Sequence, residues 1–145
     1  MAPGGRAYHW GMVAVVAGAL LVLVGAALVV VGILGVAARL PRNRWAGVRT
    51  PASLVSDGAF SVANRVSGPG IVVSGLLVAL AGAAVAGTEG APRVVVAMLL
   101  LSGGVAVMIA AGALGARAVA VAPPLSPHAR CADCTGCELM DSLTR

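Results

Sequence analysis

From Gly11 to Ala38 the sequence runs for 28 residues without a charged side chain. A helix of that length is about 42 Å long, against a bilayer core of about 30 Å. It is also too long for the apolar stretch of a secretory signal peptide. Two further apolar runs follow, Gly70–Gly87 and Val94–Ala116, with only short polar breaks around them. A single domain of 145 residues has no interior large enough for three such segments, so the bilayer must take them. Composition agrees: 59% of residues are hydrophobic and 10% are charged, far from a soluble average. No stretch alternates apolar and polar residues in the way a half-buried strand would. The sequence therefore predicts an all-α integral membrane bundle of three transmembrane helices, at about 11–38, 70–87 and 94–116. These form a membrane domain over 1–122, and Pro123-Pro124 opens a tail over 123–145.

Between the first two runs lies Leu40–Pro69, which is neither apolar throughout nor a terminus. Together with the adjoining Arg39 it holds five of the ten arginines, Arg39, Arg42, Arg44, Arg49 and Arg65, against one acid, Asp57. The chain has no lysine, and its net charge of +5 is concentrated here. Arginine-rich connections stay on the cytoplasmic side. The expected topology has the N-terminus outside and both the loop and the tail inside. Trp45, Leu54, Val55, Phe60, Val62 and Val66 mark the loop as ordered rather than as a solvated linker. Ser56 caps a short helix that Gly68-Pro69 should stop near Ser67. Phe60, Ala63 and Val66–Ser67 share one side of it, while Asp57, Asn64 and Arg65 fall on the other.

The same loop carries a family pattern. Asn43-Arg44-Trp45-Ala46-Gly47-Val48-Arg49-Thr50-Pro51, then Ser53-Leu54, Ser56-Asp57, Phe60, Ala63-Asn64-Arg65 and Gly68 resemble the signature of the SdpI family of bacterial membrane proteins. Gly58 departs from it, standing where members usually have an acid, which weakens the expected start of the loop helix. The resemblance implies a multi-pass protein of the cell membrane. It also implies a role like that of the family's named member, an immunity protein against a secreted peptide toxin that takes part in signalling. Arginine suits bidentate contact with phosphate or carboxylate. Candidate partner-binding residues are therefore Arg42, Asn43, Arg44, Gly47, Arg49, Thr50, Pro51, Asn64 and Arg65. The partners they imply are a peptide toxin, a cytoplasmic regulator or anionic headgroups, beside the bilayer itself.

Glycines recur every seven residues in the first run (Gly11, Gly18, Gly25, Gly32) and again in Gly68, Gly75 and Gly82. Gly104, Ala111 and Gly112 give the third run a weaker version. Small residues two turns apart let backbones approach closely. The pattern leaves open whether the facing helix belongs to the same chain or to a second copy, as in a homo-oligomer.

In the tail, His128, Cys131, Cys134 and Cys137 form H-x2-C-x2-C-x2-C, a ligand set for zinc or an iron–sulfur cluster. This gives an alternative reading as a metal- or thiol-responsive sensor; an accessory subunit of a membrane complex is a third. No predicted helix carries an interior Asp, Glu, His, Lys or Arg, which argues against a proton or ion path. No nucleophile–base pair or phosphate loop stands out, so an enzyme is not expected. The basic residues lack the helical face and aromatic platform of a nucleic-acid binder.

Overall fold

The computed structural model describes residues 4–41 and 46–121, with side chains from Gly11 onward. It contains three α-helices, α1 (Gly4–Val36), α2 (Asp57–Gly87) and α3 (Ala91–Val121), and no strand among the described residues. Each is long and apolar enough to cross a bilayer. α2 is the centre: α1 and α3 both pack on it and do not touch each other. The outer faces are apolar and open, with Leu23, Met98, Leu99 and Ile109 about two-thirds exposed. A patch of that size is untenable in water and is the expected surface toward lipid.

The seven-residue spacing resolves into an antiparallel seam within the chain. A Cβ added at Gly18 would lie 2.6 Å from the Gly82 carbonyl, one at Gly25 2.5 Å from that of Gly75, and one at Gly32 2.9 Å from that of Gly68. The reverse substitutions meet the reciprocal carbonyls at 2.5–2.9 Å. Three glycine pairs thus set α1 and α2 backbone against backbone. Gly11 meets nothing within 4 Å, because its partner position lies past the end of α2. On α3 the facing residues are Ala97, Gly104, Ala111 and Gly115, all buried. Gly112 faces open space, so it is Gly115 that completes this seam. Ser74, buried on α2, donates its hydroxyl to the Gly104 carbonyl at 2.8 Å, a link worth about 0.6 kcal/mol between membrane helices. Ser102 bonds its own helix at Leu99.

α2 departs from the expected layout. The short loop helix and the second span are one continuous helix, with Pro69 inside it. Proline at this position removes the bond to the Arg65 carbonyl and crowds that carbonyl with its ring. On either side, Gly68 is wedged against Gly32 and Val36, and Gly70 against Ala111. Packing on both neighbours keeps continuous what the local sequence would break, as membrane bundles commonly do. Gly58 does not prevent initiation, because the Ser56 hydroxyl accepts from the Ala59 N–H at 3.1 Å and caps the helix. At 31 residues α2 is about 46 Å long, so its first turns extend beyond a bilayer core. α1 likewise starts before the apolar run, and α3 begins three residues earlier and runs five residues further than expected.

The end of α1 is a Schellman motif. The Arg39 N–H bonds to the Leu34 carbonyl at 3.0 Å and the Ala38 N–H to that of Gly35 at 3.1 Å. This places Ala38 at φ 53, the left-handed position where glycine is the usual residue. Ala38→Gly is therefore expected to stabilise the fold by up to about 1 kcal/mol, measured by reversible unfolding in micelles. At the other end of the bundle, Gly90 at φ 75 makes the α2–α3 turn. Arg93 closes that turn on the Thr88 carbonyl.

Candidate functional site

Residues Gly47–Leu54 fold into a small unit built by their own side chains. Pro51 opens a single helical turn, closed by the Leu54 N–H on the Thr50 carbonyl at 3.1 Å; its fixed φ suits a first helical position. Thr50 and Ser53 then cap each other. The Thr50 N–H donates to Ser53 Oγ at 2.8 Å, and the Ser53 N–H to Thr50 Oγ1 at 3.1 Å. The Ser53 hydroxyl proton has the carbonyls of Val48 and Thr50 within reach, both at 3.0 Å. Ser53 is fully buried. This role is legible in the T-P-x-S spacing, which is a reciprocal cap with proline in the first turn, but Ser53 is absent from the residues that sequence reasoning put forward as the site.

Asn64 ties this unit to α2. It is 1% exposed, its Nδ2 donates to the Phe60 carbonyl at 2.8 Å, and its Oδ1 accepts from the Val48 N–H at 2.7 Å. The expectation that Asn64 lies on the polar side with Asp57 and Arg65 is thus corrected. It sits on the buried side with Phe60, Ala63 and Ser67, because it lies four residues after Phe60 and three before Ser67 on one helical stripe, and its amide is satisfied there by the loop backbone at Val48. Gly47 fits the same geometry. It adopts φ 96, and any Cβ there would collide with Asn64 Oδ1.

Arg65 is exposed, and its Nε donates to the Val36 carbonyl at 3.3 Å. It therefore reaches the last turn of α1, where a cation also complements the helix dipole. Arg49 is exposed at the surface of the loop unit. Of the candidate residues, the structure gathers Gly47, Thr50, Pro51 and Asn64 into one scaffold, stations Arg65 at the end of α1 and leaves Arg49 displayed. Arg42, Asn43 and Arg44 lie outside the described residues, as do His128, Cys131, Cys134 and Cys137 of the tail.

The model of the SdpI/YfhL protein family matches residues 39–122. The chain belongs to this family. The match covers more than half of the sequence: the loop, all of α2 and all of α3. No curated protein and no solved structure matches the chain. Family membership and three apolar helices together make this an SdpI-like membrane protein. Within the Gly47–Leu54 unit and its anchor on α2, two kinds of residue stand apart. Gly47, Thr50, Pro51, Ser53 and Asn64 spend their side chains or their conformational freedom on the loop's shape. Arg49 is exposed on its surface.

Proposed function

We propose that this SdpI-family protein confers tolerance to a membrane-active peptide toxin, by binding rather than by catalysis. Its Gly47–Leu54 unit is the contact face for an acidic group on the toxin or on a cytoplasmic regulator. The observation that carries this is the build of the Gly47–Leu54 unit: Gly47, Thr50, Pro51, Ser53 and Asn64 fix its form, and Arg49 is exposed on it. A side chain carried on a hydrogen-bonded turn has a lower ordering cost in a bidentate contact. The arginine asymmetry supports an orientation with this loop and the tail in the cytoplasm and the N-terminus outside.

A deletion strain exposed to conditioned medium from its parent tests the proposal. Loss of viability is expected, restored by the wild-type gene and not by Arg49→Ala. Equal survival of deletion and parent would contradict the tolerance role.

A further inference from the structure

We infer that Arg39, Arg65 and Arg117 form a ring around the bundle that binds the phosphates of anionic lipid headgroups. The register of the helices carries this. Arg65 bonds the carbonyl of Val36, and the Arg39 N–H returns to that of Leu34, so both arginines stand at the last turn of α1. On the other side of α2, Gly115 packs against Ala63 and Ser67, and Gly104 against Ser74. Arg117, two residues beyond Gly115, is therefore level with residues 61–65 of α2. One arginine on α2, one just past α1 and one on α3 thus fall within about one helical turn, roughly 5 Å, of each other along the bundle axis.

All three are exposed, and each borders the lipid-facing surface: Ile33 and Val36 near Arg39, Val62 and Val66 beside Arg65, Leu114 before Arg117. From Arg65 to the end of α2 at Gly87 is 22 residues, about 33 Å, close to the thickness of a hydrocarbon core. The ring therefore lies at the membrane boundary, with the Gly47–Leu54 unit beyond it in water. Charge agrees. Among the described residues the acid at this end is Asp57, two turns before Arg65 on α2, whereas Arg93 at the far end has Glu89 in the same turn. A single small soluble anion does not span all three, because Arg117 lies on α3, across α2 from the end of α1 where Arg39 and Arg65 both stand. Lipids packed around the perimeter meet all three.

The test uses the full chain in phosphatidylcholine vesicles containing a trace of spin-labelled phosphatidylglycerol or phosphatidylcholine. The fraction of motionally restricted label gives the relative affinity. Wild type is expected to prefer phosphatidylglycerol several-fold, each arginine contributing up to about fivefold at low salt. The triple variant Arg39→Gln, Arg65→Gln, Arg117→Gln should fall to parity, and the triple lysine variant should keep the preference. Equal affinity of wild type for both lipids would overturn the inference whether or not the glutamine chain folds. So would an undiminished preference in a folded glutamine variant, which would move the site to other residues. Displacement of the labelled lipid by millimolar inorganic phosphate would also overturn it, by making the site one for a soluble anion.

Discussion

Gly25→Ala is expected to separate α1 from α2 while leaving each helix inserted. The added methyl would stand 2.5 Å from the Gly75 carbonyl and from the Ala79 backbone nitrogen. Both are backbone atoms on a packed helix, so neither can rotate away. Relief requires the two helices to move apart, which also opens the contacts at Gly18–Gly82 and Gly32–Gly68. Overpacking of this kind costs about 1–3 kcal/mol, against about 1 kcal/mol gained from alanine's better helix propensity. Gly25→Leu should lose substantially more. Gly112→Ala is the matched control: nothing lies within 4 Å of its added carbon, so it should be neutral or slightly stabilising. Reversible unfolding in micelles separates the three. Equal stability of Gly25→Leu and Gly112→Ala would mean that the glycine pairs are not a close contact in the membrane.

Asn64→Leu is expected to free the loop without unfolding the bundle. It removes the acceptor of the Val48 N–H and a second donor to the Phe60 carbonyl; the carbonyl keeps its helical bond, but the Val48 N–H is left without a partner. An unmade bond of this kind costs about 1–3 kcal/mol. Hydrogen exchange at the Val48 amide should accelerate about tenfold to a hundredfold, with the amides of α3 unchanged. Asn64→Asp keeps an acceptor for Val48 and should fall between. Gly47→Ala should resemble Asn64→Leu, through a left-handed φ and a collision with the same Oδ1. An unchanged Val48 exchange rate in both variants would show that the loop is held by something other than this clamp.

These two residues show how differently the sequence exposes its logic. Gly25 was readable as part of a stripe, because a period of seven puts small residues along one side of a helix. Its partner was not readable: Gly75 and a glycine of another chain satisfy the same spacing, and only the tertiary register decides between them. Asn64 was read by residue type as solvent-facing. Yet its four-residue step from Phe60 and three-residue step to Ser67 put it on the buried stripe of the helix; what no local pattern reports is its partner, the Val48 N–H sixteen residues away. Pro69 misled for the opposite reason. Its local effect is real, but Gly32, Val36 and Ala111 hold the flanking glycines from both sides. Arg65 was grouped with the loop arginines by proximity in sequence, whereas its Nε is directed to the end of α1. The loop's membership in the family was plain from its motif, because the residues that shape it are themselves the pattern.

Arg49 remains the residue on which the functional account depends, and exchanging it for lysine separates recognition from topology. The positive-inside rule counts lysine and arginine alike, so Arg49→Lys should insert with unchanged orientation. A lysine cannot reproduce a planar fork on a carboxylate or phosphate. Losing such a contact costs about 1.5–3 kcal/mol, roughly ten- to a hundredfold in affinity. Arg39→Lys, at the end of α1, keeps the charge that its position uses and should be silent. The deciding measurement is survival of the deletion strain carrying each variant in conditioned medium. Failure of Arg49→Lys beside full protection by Arg39→Lys is the expected result; equal protection by both would contradict a recognition role for the displayed arginine.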